Sequence, residues 1–378
     1  MAAAQLQIDL PTAIAQMRIT ATEGPNEVAQ IRGGWMPPLT EPQVPLLEFV
    51  HDERRSELGD LAGVAGELIA DSFQAEHLQL IREVWRADDG LTLATRHRVR
   101  NKGSEAIVLR ALLPLRCDGP ASLFVEGAGA DGWEVLVQKR YKNDCPTSFR
   151  PGVLDEDLNM AVKPVGPTGE PFADHVDEIT EVRADPFCLI RRAGSNHALL
   201  IGYLSQGDHL ARIVLQFANE SAGAQLEHLT AECELDGIRF DPGEEQTSQW
   251  LCIRTGNANE LMAFFADAVG RFHGIEPPSG QPPSVWCSFY VYGEYYAESY
   301  FEEDLEDLEV RPVPFDVFLI DGGWEKCRGD WRARDDWWPS GLRSLSDRIR
   351  ERGHRPGLWT APYIINREAP VAIEHPEW

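Results

Sequence analysis

No run of about 18 apolar residues occurs anywhere in the chain, so the sequence offers no candidate membrane-crossing helix. Basic residues are scarce. The 35 Lys and Arg face 61 Asp and Glu, a formal net charge of −26, so contact with a phosphate backbone would begin in repulsion and the basic stripes of binders are missing. Nucleic acid and anionic membrane are thereby set aside as partners. The seven cysteines, Cys117, Cys145, Cys188, Cys233, Cys252, Cys287 and Cys327, are odd in number, lie far apart and form no Cys-x-x-Cys pair. Neither a zinc cage nor a disulfide framework follows from them. There is no Gly-x-Ser-x-Gly elbow and no His-x-x-x-His pair, which argues against serine-hydrolase and zinc-protease chemistry. His354 and His375 read as solvated or hydrogen-bonded histidines. The first residues, Met1 to Gln5, carry no basic segment leading into an apolar core, so a soluble, cytoplasmic protein is expected. Asn219-Glu220-Ser221 matches a glycosylation acceptor but carries no weight without secretion.

What is present is the composition of a packed globular protein, 43% apolar and 25% charged. At 378 residues the chain suits two domains with a core each. From about Gly90 to Arg254, short β-branched segments alternate with turn residues, which predicts an antiparallel sandwich or barrel. Leu91–Thr95, Trp133–Val137 and Ala211–Leu215 alternate apolar and polar, or nearly so. Turns are expected at Gly194-Ser195-Asn196, Asp236-Gly237 and Pro242-Gly243. Asn257 and Glu260 have capping-box spacing ahead of a helical stripe of Leu261, Phe264, Phe265, Ala268 and Phe272. The stretch from Gly274 to Ser284 is rich in Pro and Gly and reads as a linker. The expected division is therefore 1–273, a linker at 274–284, and 285–378.

Beyond the linker the rhythm becomes strand, helix, strand, helix, strand. The expected strands are Val285–Tyr290, Val317–Ile320 and Gly357–Thr360, with helices over Ser299–Leu308 and after Ser340, the second stopped by Gly353. Val317-Phe318-Leu319-Ile320 is apolar without alternation, as in a parallel strand buried on both faces. Repeated βα units build a doubly wound sheet or a barrel, and pattern alone does not choose. Gly127-Ala128-Gly129-Ala130-Asp131-Gly132 satisfies the dinucleotide-binding string, but strand-like Trp133–Val137 follows where a phosphate site needs a helix N-terminus. It reads as a tight turn.

Chemistry concentrates in Ile320-Asp321-Gly322-Gly323-Trp324-Glu325-Lys326-Cys327-Arg328-Gly329-Asp330-Trp331 and in Asp335-Asp336-Trp337-Trp338-Pro339-Ser340-Gly341. Asp321 ends a parallel strand, the position where βα barrels carry their functional residues. A carboxylate there accepts hydrogen bonds from neighbouring sugar hydroxyls, and indole rings offer the apolar face of a pyranose a flat surface. Packing between domains would explain any one of these tryptophans equally well. For Asp321, strand-end position adds to residue type.

Three blocks resemble the barrel start of the family-36 glycoside hydrolases, the α-galactosidase (melibiase) family that also contains plant galactosyltransferases. They are Trp286-Cys287-Ser288-Phe289-Tyr290; Phe318–Trp324 with Gly329-Asp330-Trp331; and Pro339–Leu342 leading to Pro356–Pro362 and Glu374-His375-Pro376-Glu377-Trp378. The resemblance implies a mainly β N-terminal supersandwich followed by an incomplete (β/α)₈ TIM barrel of about three strands. It makes Asp321 a ligand of galactose hydroxyls and Trp359 a substrate-lining residue, puts Phe289 where relatives often have tryptophan, and adds Trp324 and Trp331 as substrate-binding candidates. Relatives commonly show two consecutive aspartates where this chain has Asp321-Gly322, which opens the identity of the sugar. The family's retaining mechanism uses two carboxylates about 5 Å apart, carried on the fourth and sixth strands. The 94 residues from Val285 to Trp378 hold three strands of a barrel that takes about 250 residues, so no catalytic residue is assigned and the lone chain is expected to be inactive. The implied function is retaining hydrolysis of terminal α-galactosides of the raffinose or melibiose type. Its rivals are a non-catalytic carbohydrate-binding or degenerate fragment and a galactosyltransferase. No metal or organic cofactor is implied, the expected partner is an oligosaccharide or galactoside, and a homo-oligomer is compatible with the sequence.

Overall fold

The computed structural model describes residues 4–10, 17–23, 26–41, 49–75, 77–126, 128–137, 147–149, 151, 181–205, 207–220, 223–276 and 278–377. Cys145, Gly127, Ser221, Pro277 and Trp378, which enter the sequence readings above, lie outside the described residues. The chain divides into two compact units, Met1–Pro277 and Pro278–Trp378.

Among the described residues the first unit is built from two antiparallel sheets, of eight and ten strands. The first sheet runs through Asn26–Glu41, Ile107–Asp118, Gly223–Phe240 and Leu210–Glu220; the second runs through Phe187–Arg192, His197–Tyr203, Leu251–Asn257, Thr92–Asn101 and Leu78–Ala87. Alternation puts one face of each strand inward, so Leu109, Leu115, Ile213 and Leu229 of one sheet share a single buried cluster with Leu80, Val99, Ile190 and Ile201 of the other. The second sheet is covered on its other face as well. Helix Ala258–Phe272 lays Leu261, Phe265 and Ala268 on Trp85, Phe187, Leu200 and Cys252. Asn257 caps that helix by accepting a hydrogen bond from the N–H of Asn259 at 3.0 Å, the capping its sequence predicts.

Two turn expectations resolve differently. Gly194 (φ +81°) and Gly243 (φ +85°) sit in turns, but Asp236 (φ +53°) and Gly237 (φ +68°) lie inside the 18-residue strand Gly223–Phe240. There the register against Ile107–Asp118 slips between Glu234 and Ile238. The left-handed pair absorbs extra residues as a bulge and does not reverse the chain. The described part of the glycine string, 128–132, leads through a single 3₁₀ turn, Ala130–Gly132, into strand Trp133–Val137, so no helix N-terminus follows it.

Asp71 is buried in this unit with two guanidiniums and an imidazole around it. It accepts hydrogen bonds from Arg54 Nε at 2.7 Å and from the wholly buried Arg82 Nη2 at 2.7 Å, and His51 Nε2 lies 3.1 Å away. Burial alone would raise its carboxyl; the bonds from Arg54, Arg82 and His51 outweigh burial and hold it below the usual carboxylate value.

The second unit carries a three-stranded parallel sheet in chain order: β1 (Val285–Cys287), β2 (Val317–Ile320) and β3 (Arg355–Leu358). Helix α1 (Phe289–Tyr292) is a single turn after β1, α2 (Glu298–Val310) leads to β2, α3 (Gly341–Glu351) to β3, and α4 (Pro370–Glu374) follows β3. Phe318 and Ile320 pack under Phe301 and Leu305 of α2 and Leu345 and Ile349 of α3. Three expected boundaries move. The first strand stops at Cys287, because the chain coils at Ser288 into α1. The third begins at Arg355 and ends at Leu358. Ser340 does precede α3, but its side chain makes no cap; its own N–H donates to Glu298 Oε2 at 3.0 Å.

Two outcomes test the packing and charge of the first unit. A Cβ at Gly202 would stand 2.7 Å from both Phe187 Cβ and Phe265 Cε2, so Gly202→Ala is expected to cost about 1–3 kcal/mol in urea unfolding by overpacking. The second concerns His97, whose value burial, and then the charge of Arg82, push down to about 3. Above about pH 6.5 it is neutral folded and unfolded; below that the unfolded chain takes up a proton that the folded chain refuses, so stability falls with pH through the window down to about 3. Unfolding free energy is expected to drop by about 1–2 kcal/mol between pH 6.5 and 5, and His97→Gln to flatten the slope. Asp71 adds a further loss only below about pH 4, as its depressed folded value is crossed.

Candidate active site

The C-terminal ends of β1, β2 and β3 are laced at one level. Ser288, fully buried just past β1, donates its N–H to Leu319 O at 3.1 Å and accepts the N–H of Asp321 on its Oγ at 3.0 Å. On the other side Trp359 donates its N–H to Ile320 O at 2.8 Å. Asp321 thus leaves the end of the central strand between its two neighbours. Its Oδ1 accepts the N–H of Gly322 at 2.7 Å, and Cys287 Sγ lies 3.3 Å from its Oδ2. The side chain is half-buried, with further lone pairs available for a ligand.

The five candidate residues occupy different surroundings. Trp359 is half-buried just past β3, with the Arg328 guanidinium 5.2 Å from its ring centroid. A Cβ on Gly322 would meet Trp359 Cζ3 at 3.1 Å and Arg328 Nη2 at 3.4 Å, so ring and guanidinium fill the space a side chain at 322 would need. Trp324 is only 3% exposed, belongs to the core of the second unit and donates its indole N–H to Trp359 O at 2.9 Å. It supports the backbone of Trp359 and has no open ring face for a sugar. Trp331, half-buried at φ +51°, stacks on Trp324 with centroids 6.2 Å apart. Phe289 is 36% exposed on α1 and meets Tyr290 edge-on. Trp338 also enters the core. His354 stacks on Phe315 at 4.0 Å and lies just before β3, at the end of the strands opposite Asp321.

The loop after β2 closes on itself as a small hairpin. Glu325 bridges Ala333, Lys326 donates its N–H to Arg332 O at 2.8 Å, and Arg334 donates its N–H to Trp324 O at 3.0 Å. From it Arg328 reaches Glu294 in the loop after β1, lies 3.7 Å from Glu325 and, through its carbonyl, accepts the N–H of Asn366 in the loop after β3 at 2.9 Å. Its charge is held firmly, first by the Glu294 hydrogen bond. Ser288 and Arg328 lie within the stretches quoted from the sequence but carry no role there, and Glu294 does not enter them. Ser288 could have been found by aligning the strand ends; the Arg328–Glu294 pair spans 34 positions and leaves no local signal. Beside this group opens a cleft of about 500 Å³, with Tyr295, Trp337, Lys326, Glu325 and Arg328 in its wall. Aromatic packing continues behind it. Tyr292 and Tyr296 both donate to Asp304, at 2.9 and 2.7 Å, and burial followed by that carboxylate pushes Tyr292 up to about 12. Among the described residues no cluster of His, Cys, Asp and Glu could hold a metal ion, and no helix is long and apolar enough to cross a membrane.

Comparison with known proteins gives the arrangement its relatives. The melibiase family model matches residues 296–378. The α-galactosidase Mel36A of Lactobacillus acidophilus is 28% identical over 92 residues, 21% of this chain and 13% of that protein. The α-galactosidase of Lactobacillus brevis superposes with a TM-score of 0.59 at 11% identity, over 98% of this chain and 57% of that one. A variant of the family-36 α-galactosidase AgaA from Geobacillus stearothermophilus, solved with raffinose, does so with 0.56 at 12% identity, over 92% and 49%. The chain thus spans about half the length of the solved proteins whose fold it shares. A β-sandwich followed by parallel βα units is the fold these solved α-galactosidases share with the chain. Residues 296–378 are thus similar to the melibiase family, and the chain shares the fold of solved α-galactosidases over most of its own length.

The tightest packing in this region gives a test. Gly323 has φ +102°, and a Cβ there would fall 2.1 Å from Glu294 O. Gly323→Ala is expected to cost more than about 3 kcal/mol, seen as proteolysis within 278–377 at temperatures where the native protein resists cleavage.

Proposed function

We propose that the strand-end group of the second unit binds the terminal galactose of an α-galactoside, as part of a retaining glycoside hydrolase of the raffinose- or melibiose-cleaving type. The observation that carries this reading is Asp321, a half-buried carboxylate fixed through its N–H to Ser288 and followed by Gly322, against which the indole of Trp359 lies. A carboxylate so held accepts two neighbouring hydroxyls without reorganising, and the indole shields an apolar sugar face from water. Raffinose occupies one of the solved relatives, which supports the choice of sugar. On this reading the three-stranded sheet is the start of a (β/α)₈ barrel, with Phe289 and Trp331 at the rim and Trp324 acting from beneath.

Catalysis in this scheme needs two carboxylates flanking the glycosidic bond, one attacking the anomeric carbon and one serving as acid and then base. Neither role is assigned to a residue here. Asp321, Trp359 and their supports bind and orient; they do not break the bond.

Calorimetry with galactose and melibiose tests the reading directly. Asp321→Asn keeps the shape but removes the charge, and is expected to weaken galactose binding by about ten-fold or more, since a hydrogen bond to a charged group is worth roughly 1.5–3 kcal/mol. Equal affinity in the native protein and this variant would remove Asp321 from the site.

A further inference from the structure

Cys287 ends β1 and stands level with Leu319 of β2 in the parallel register. Successive residues of a strand point to opposite faces of its sheet. Trp286 turns to the helix side, where its ring centroid lies 4.2 Å from that of Phe318, and Phe318 and Ile320 pack there against α2 and α3. Cys287, Leu319 and Asp321 therefore share the other face. On it the Sγ of Cys287 lies 3.3 Å from the Oδ2 of Asp321, with the thiol as donor.

Asp321 is thus anchored at both oxygens. Its Oδ1 accepts the N–H of Gly322 at 2.7 Å, from its own chain, and its Oδ2 accepts from a side chain of the neighbouring strand. The last torsion of an aspartate is soft, so the first anchor alone leaves the carboxylate plane free to turn, whereas two anchors fix it. A carboxylate has about four acceptor positions. The N–H and the thiol take one on each oxygen and leave about one on each, the number that two neighbouring hydroxyls require. The choice of sulfur matters as well. A thiol is a weak, uncharged donor, so it directs Oδ2 without neutralising the carboxylate as a guanidinium or ammonium in its place would.

We infer that Cys287 is a positioning residue for the sugar-binding carboxylate: its thiol fixes the plane in which Asp321 presents its remaining lone pairs to a terminal galactose. The inference rests on the reading of Asp321 as a galactose ligand, and it adds a residue that acts through Asp321.

The test is calorimetry with methyl α-D-galactopyranoside on the full natural chain, Cys287→Ala and Cys287→Ser, with thermal unfolding of each. Cys287→Ala removes the donor and is expected to weaken binding about five-fold, the effect of losing one ordinary hydrogen bond. Cys287→Ser keeps a donor at the same point and is expected to bind within about two-fold of the native protein. Cys287 is half-buried, so both variants are expected to unfold at the native midpoint. Cys287→Val, which keeps the bulk of the thiol and has no donor, is expected to match Cys287→Ala and so separates the lost bond from lost packing. Native affinity in Cys287→Ala, equal weakening in the alanine and serine variants, or native affinity in Cys287→Val would overturn the positioning role and leave the galactose reading standing. No heat from the native protein would overturn the galactose reading and this role with it.

Discussion

The second unit depends on how its three parallel strands end. Ser288 binds Leu319 and Asp321, and Trp359 binds Ile320, so the last backbone groups of each strand are satisfied by the next. A parallel strand that stopped without partners would leave buried N–H and C=O groups unpaired, at a cost of about 1–3 kcal/mol for each. Satisfying them sideways brings the side chains just past the strand ends to one height. That single requirement brings Asp321 and Trp359 to the same end of the sheet, and the loops add only their support.

The first unit solves a different problem. Its second sheet is buried on both faces at its centre, by the first sheet on one side and by helix Ala258–Phe272 on the other, and there Gly202 has no room for a methyl group. The Asp71 cluster shows how such a sheet admits charge. A carboxylate with two guanidiniums and an imidazole around it gives the buried Arg82 a counter-charge that removal of Asp71 would take away.

Much of this was legible from residue order. Val317–Ile320 announced itself by continuous apolarity, and Asn257 by its place before a helical stripe. Other features were hidden for identifiable reasons. Phe289–Tyr292 continues the apolar run of β1, and only the tertiary bonds of Ser288 turn it into a helical coil. Asp236-Gly237 carries the chemistry of a turn but spends its left-handed backbone on a bulge. Asp321 could be singled out because position reinforced type. Trp324 could not be told from Trp359 by type alone, since an indole that supports and an indole that offers its face read identically in sequence. Ion pairs such as Arg328 with Glu294 have no period and no motif.

Gly322, Arg328 and Trp359 form one packed group in which a β-carbon at the first position would press on the other two. The three positions are therefore not free to diverge independently. A side chain gained at 322 would ask the indole edge of residue 359 and the guanidinium of residue 328 to give by a few tenths of an ångström. How residues 328 and 359 are aimed is therefore tied to what stands at 322, so that a change at one of the three positions is felt at the other two.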